Sequence, residues 1–309
     1  MSNNLYRLFR TSHFLGLVLQ AQSQPLIQKE EIIRIETALA SDKMEGRAIF
    51  SAGIDSASAF IENEFRKINL SYFKDLKNYR QEFVAKGNAA NNVIAILPGK
   101  SKPEEFVIFS AHYDHIGLAK SGDDKIYNGA NDDASGTTAV IALAKYFKEL
   151  NQNERTIIFV AFTGEEVGGF GSKFFSENID SKKVIAMFNI EMIGTESKWG
   201  KNSAYITGFE KTDFGVILQK NLKDSKFNFN PDPYPKEQLF YRSDNARLAA
   251  LGVPAHTIST SKMDSEPNYH KVSDEVSTLD LENMTEIIKS IAISSQTIIN
   301  GEDTPSRVK

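Results

Sequence analysis

Four short apolar runs constrain this chain more than any other feature. They are Asn92–Leu97, Phe106–Ala111, Thr156–Phe162 and Val184–Asn189. Each is rich in β-branched or aromatic residues, and none alternates between apolar and polar. That is the pattern of strands buried on both faces, not of a sheet with one wet side. Helical spacing lies between and after them. Val140, Ala144 and Phe147 recur at i, i+4 and i+7 behind Ser135-Gly136. Leu281, Met284, Ile288 and Ile291 form a second stripe, with Thr278 and Asp280 as candidate caps. Strands alternating with helices predict α/β layers. A length of 309 residues fits one large domain, read here from residue 24 onward, with a loose polar tail over 300–309.

Composition removes whole classes of function. Cys is absent, so disulfides, thiolate nucleophiles, zinc ribbons and iron–sulfur clusters are excluded. A formal charge of −4 offers no basic face for nucleic acid. Any bound metal needs His and carboxylates, and there are 5 His. Residues 1–23 read as an export signal. Arg7 and Arg10 precede the apolar stretch Phe14–Leu19, and Ala21-Gln22-Ser23 follows as a small-x-small cleavage site. The stretch is shorter than the roughly 20 apolar residues of a membrane span. The expectation is a secreted or periplasmic protein without a transmembrane helix.

The polar residues that carry chemistry stand just after the apolar runs, where α/β sheets bind their ligands. Phe106–Ala111 leads into His112-Tyr113-Asp114-His115. His-x-Asp puts both side chains on one face of a strand, and a ligand imidazole needs such a partner to fix its tautomer. A core histidine bonded to its neighbour would read the same way. Gly129 to Gly136 holds Asp132 and Asp133 ahead of a helix, where acids are ordinarily caps. Glu165 and Glu166 stand side by side beyond the third run and repel unless a cation compensates. Glu191 lies within an apolar run, where an unpaired carboxylate is costly. Tyr269-His270 sits in a polar loop. Each signal alone is modest. Together they supply two His and several carboxylates at successive strand ends, a donor set suited to hydrolytic zinc with a carboxylate left over as base.

These residues resemble the motifs of the zinc-dependent aminopeptidase family of clan MH. It includes bacterial leucyl aminopeptidases, glutamate carboxypeptidase II, glutaminyl cyclase and the transferrin receptor. The segments AHYDH (111–115), GANDDASG (129–136), FTGEE (162–166), NIEMIG (189–194) and YH (269–270) occur in family order. The resemblance implies a three-layer α/β/α fold with a mostly parallel mixed central sheet. The stretch between Gly53 and Asn92 is too short for the protease-associated insertion of some members. The resemblance further implies two zinc ions and peptide substrates cut at the amino terminus. By that match His112 and Glu166 hold one zinc, Glu191 and His270 the other, and Asp132 bridges them. Glu165 is the general base, Tyr269 bonds the oxyanion, Asp114 orients His112, and Asp133 stands behind the ligands. The bond between Asp132 and Asp133 is the counterpart of a cis bond found in many members. His115 falls behind the ligands and His256 is structural.

The chain departs from the family pattern twice. Glu191 replaces the usual Asp, and Arg242-Ser243-Asp244-Asn245 has Asn where relatives carry His, which touches substrate shaping by Arg242, Ser243 and Asp244. Two rivals follow from the same resemblance. One is a single-zinc glutaminyl cyclase, whose pocket is rich in Trp, whereas this chain has one Trp, Trp199. The other is a binding-only relative, which would show broken ligand positions; here each holds a competent residue.

Overall fold

The computed structural model describes residues 27–309, so the export signal expected over 1–23 lies outside the described residues. Nine strands share one sheet. In chain order they are β1 (Ser71–Tyr72), β2 (Arg80–Ala85), β3 (Asn88–Leu97), β4 (Lys102–His112), β5 (Arg155–Phe162), β6 (Val184–Ile190), β7 (Ser203–Ile206), β8 (Asn228–Pro231) and β9 (Ala255–Ser259). Their spatial order is β1-β3-β5-β4-β6-β9-β7-β8, with β2 paired to β3. The centre, β5-β4-β6-β9, is parallel. β3 and β7 flank it antiparallel. The sheet is therefore mixed, with a parallel heart and open edges.

Helices cover both faces. The first four are α1 (Lys29–Leu39), α2 (Ala52–Ile68), α3 (Ser135–Leu150) and α4 (Phe170–Glu177). They are followed by α5 (Phe214–Leu222), α6 (Asn245–Ala249) and α7 (Leu281–Ser294). Successive strand residues feed two different cores. Val107, Phe109, Ile157, Phe159 and Phe188 pack with apolar residues of α1, α2, α3, α5 and α7. Ile108, Ile158, Val160, Phe162 and Met187 pack with Phe175 of α4 and Leu248 of α6. This is why the four runs are apolar throughout: in a sheet covered on both sides, neither register of the side-chain alternation meets water.

The predicted helix starts hold in part. Asp280 caps α7, its carboxylate accepting the Asn283 amide at 3.0 Å. Thr278 instead turns its hydroxyl to the Glu275 carbonyl. The tail corrects the expectation of a loose segment over 300–309. The buried Arg155 guanidinium donates to the Asp303 carbonyl (2.7 Å) and Thr304 Oγ1 (2.6 Å). The Ser306 amide donates to Asp213, and Arg307 donates to the Val184 carbonyl. Polar composition suggested solvent there, but the polar groups are spent on the body of the protein. Among the described residues no helix is long and apolar enough to cross a membrane.

Candidate metal centre

The carboxyl ends of the parallel strands converge on one acidic cavity of about 250 Å³. Its wall includes Asp132, Glu165, Glu166, Glu191, Tyr269 and His270. His112 ends β4, with its Nδ1 3.0 Å from the Asp114 carbonyl oxygen. That contact places the ring proton on Nδ1 and leaves Nε2 bare, 3.2 Å from Asp132 Oδ1 and without hydrogen-bond geometry. On the other side of the same carboxylate, His270 Nε2 lies 3.2 Å from Asp132 Oδ2 and 3.0 Å from Glu166 Oε2. Asp132 thus presents one oxygen to each imidazole. A buried bare nitrogen among carboxylates is the expected state of a metal ligand. The unpartnered Oε2 of Glu191 adds a second orphan.

The grouping differs from the one the resemblance implies. Glu166 stands with His270, not His112, which leaves His112 and the cavity-lining Glu191 for the other side. The two candidate half-sites are therefore Glu166/His270 and His112/Glu191, on either side of Asp132. The orienting contact also differs. The Asp114 carboxylate accepts the backbone amides of Glu165 (3.2 Å) and Glu166 (3.4 Å) and lies 3.8 Å from His112 Nδ1. It fixes the loop after β5, while its carbonyl fixes the ring. Asp133 accepts the amides of His112, Gly136 and Met192, tying β4, α3 and the end of β6 together. The bond between Asp132 and Asp133 is cis.

Residues outside the sequence reading hold the bridging turn. Arg47 is fully buried, and its guanidinium donates to the carbonyls of Leu39, Tyr113, Asn128 and Gly129. Asp274 accepts the amides of Asn131 (2.8 Å) and Asp132 (3.0 Å), linking the His270 loop to the bridging turn. Asp274 is marked in the sequence only by its place four residues after His270. His115 turns its Nδ1 to Glu166 Oε1 at 2.8 Å. His115, Asp132 and Glu166 could together surround an ion.

Electrostatics divides the acids. Burial pushes Asp132 up, but the imidazoles of His112 and His270 against its two oxygens outweigh it and hold its carboxyl far below the ordinary range. Glu166 is lowered in the same way by His115 and His270. Burial dominates elsewhere. It lifts Glu191 to about 7 against the pull of His112 and the nearby Ser243 hydroxyl. Glu165 is pushed well above its usual value by burial, with Glu191, Asp244 and Asp114 adding to it. His270 rises to about 10 through its bonds to Asp132 and Glu166. The buried acids outnumber the three imidazoles among them, and bound cations would supply the missing counter-charge.

Around this centre Tyr269 stacks on His270 with centroids 4.0 Å apart. Arg242 sits at the rim, paired loosely with Glu237 at 3.4 Å, and Ser243 lines the wall. Asp244 is buried behind the cavity. His256 lies away from the cluster, bonded to Thr212 and to the Thr207 carbonyl. Trp199 is 42% exposed and takes no part in the cavity wall.

Comparison with known proteins places the chain. The family model described as Peptidase family M28 matches residues 92–294. A probable leucine aminopeptidase of Trichophyton verrucosum is 29% identical over 247 residues, 77% of this chain and 64% of that one. Aminopeptidase YwaD of Bacillus subtilis is 23% identical, over 71% of this chain and 47% of that protein. A vacuolar membrane protease of Kluyveromyces lactis is 30% identical over 45% of this chain and 14% of its own length. The chain thus spans less than two thirds of these curated relatives. BSAP, a zinc aminopeptidase from Bacillus subtilis, superposes with a TM-score of 0.70 at 13% identity, covering 93% of this chain and 99% of that one. Porphyromonas gingivalis glutaminyl cyclase does so with 0.69 at 15%, covering 89% and 99%. At such identities the likeness is one of fold.

Proposed function

The chain belongs to peptidase family M28, and from that premise we propose that it is a zinc-dependent aminopeptidase cutting the first peptide bond of its substrates. The observation that carries this reading is the Asp132 carboxylate, flanked on its two oxygens by His112 and His270 and overlooked by Glu165. His112 and Glu191 would hold one zinc, Glu166 and His270 a second, with Asp132 shared. Zinc bound there supplies Lewis acidity, polarising the scissile carbonyl and acidifying a water.

The chain's own residues do the rest. Glu165 takes the water proton and returns it to the leaving amine, help typically worth about 10²–10⁴ in rate. Burial lifts its carboxyl and His112 opposes the lift, so Glu165 holds a proton more readily than an ordinary carboxylate. Tyr269, at the cavity wall, would donate to the oxyanion. The acidic wall around Glu191 suits a free α-amine, which favours cutting at the amino end. Arg242 and Ser243 border the space beyond and would shape it for the first side chain.

Metal analysis combined with a panel of aminoacyl-p-nitroanilides and a glutaminyl substrate tests the proposal. The expected result is about two zinc per chain and hydrolysis of the anilides. One zinc with ammonia release from the glutaminyl substrate would instead make the protein a cyclase. The Trp-free cavity wall speaks against that outcome.

A further inference from the structure

His115 has no part in the ligand set just described, yet it is 2% exposed and touches that set. Its Nδ1 lies 2.8 Å from Glu166 Oε1 and 3.8 Å from Asp132 Oδ2. Two arrangements fit these distances. Nδ1 is a further metal ligand, or it carries a proton and donates it to Glu166.

The far side of the ring decides between them. His115 Nε2 is buried and has no hydrogen-bond partner. With Nδ1 on a metal, the ring proton would lie on Nε2, leaving a buried N–H with no acceptor. Such orphaned donors are rare, and ligand histidines almost always give their second N–H to a carbonyl or carboxylate. His112 shows that ligand pattern in full: Nδ1 anchored on a carbonyl and Nε2 bare toward Asp132. His115 has the same bonded Nδ1 and bare Nε2 but the opposite orientation: Nδ1 meets the carboxylates, and the bare Nε2 is an unfilled acceptor, the less costly orphan.

We propose that His115 is a positioning residue for Glu166, resting on the metallopeptidase reading above. Its Nδ1–H donates to Glu166 Oε1, which turns Oε2 toward His270 and Asp132. The ring is itself held in place. A Cβ on Gly129 would lie 2.5 Å from His115 Cγ, so glycine at 129 leaves the room the imidazole fills. On its other side the ring meets His270 edge-on, centroids 5.7 Å apart. Zinc affinity at the Glu166/His270 half-site therefore depends on His115, and affinity at the His112/Glu191 half-site does not.

Zinc content of the wild-type protein is measured first, then retention against a chromophoric chelator in His115→Ala and His115→Asn. The alanine variant should hold one zinc about 10–100-fold more weakly, the usual cost of losing a partner behind a ligand, and the other unchanged. Asparagine keeps a donor near the Nδ1 position and should stay within a few-fold of wild type. Long-range ¹H–¹⁵N correlation on the ¹⁵N-histidine, zinc-loaded wild type reads the tautomer without any variant, and should show the His115 proton on Nδ1. Unchanged retention in His115→Ala overturns the inference alone. A proton on Nε2, with both variants losing metal equally, overturns it in favour of ligation. A wild-type protein without zinc overturns the metallopeptidase reading and this inference with it.

Discussion

Glu165 and Glu166 are neighbours in sequence with opposite electrostatic fates. Glu166 is lowered by two imidazoles, whereas Glu165 is raised by burial among other acids. The contrast fits Glu166 as a ligand and Glu165 as a proton carrier, while Glu191, raised as well, shows that direction alone does not separate the two roles. Glu165→Gln should therefore keep the zinc content of wild type and reduce kcat by about 10²–10⁴. A near-normal kcat in that variant would remove Glu165 from the role. The contrast was only half legible in the sequence. Runs that end in His, Asp or Glu announce which residues reach the sheet's carboxyl edge, because strand position fixes that. Which imidazole meets which oxygen of Asp132 depends on the approach of the His270 loop, an element with no periodicity to read. For that reason the pairing of Glu166 with His112 did not survive. The Asp114 side chain likewise met two backbone amides, and backbone donors carry no mark in a sequence.

Among the elements, the junction of α3 with β6 shows how closely the site is built. A Cβ on Gly136 would lie 2.1 Å from the Ile190 carbonyl oxygen and 2.5 Å from Asp133 Oδ1. Helix propensity alone favours Gly136→Ala by up to about 1 kcal/mol. Overpacking against backbone costs typically about 1–3 kcal/mol, and a β-strand carbonyl cannot step aside as a flexible side chain can. The clash wins, so the variant should melt lower, by about 2–3 °C for a chain of this size. It should also bind zinc more weakly, since Glu191 follows Ile190 directly. An unchanged or raised melting temperature would show that the two elements do not approach this closely. Hydrophobic runs disclosed β3 to β6 and the stripes of α3 and α7, because burial on two faces leaves a compositional trace. The short outer strands β7 and β8 left none. Nor did the docking of the tail on Arg155, where polar residues bond to protein rather than water.

At the scale of the whole molecule, the buried charge sets how stability depends on pH when no metal is bound. Burial raises Glu36 to about 8, with the Thr138 hydroxyl and Arg47 opposing it. Burial also raises Asp114 and Glu191 to about 7. An acid whose folded pKa exceeds its unfolded value lends stability that is complete below the unfolded value and lost as pH rises through the folded one. His270, raised to about 10 by its carboxylate partners, has the same sign, its contribution fading as pH climbs toward that value. The opposing groups act at lower pH. Asp132 and Glu166, both lowered, lose their contribution only as pH falls below the ordinary carboxylate range. His256, held by burial at about 4, loses its contribution between about 6.5 and 4. Between roughly pH 6.5 and 9 the opposing groups have finished titrating, and the first set, joined by the raised Glu165, Asp133 and His112, makes the metal-free protein less stable as pH rises. Bound zinc would supply the counter-charge that protons supply in its absence and would add stability by mass action. Thermal melts of chelator-treated protein should therefore fall by several degrees from pH 6.5 to 9. Melts with excess zinc should lie higher throughout and fall less, the remaining slope being that of Glu36, which stands outside the ligand cluster. A metal-free melting temperature that rises over this range would mean that these acids are compensated by charges other than a bound cation.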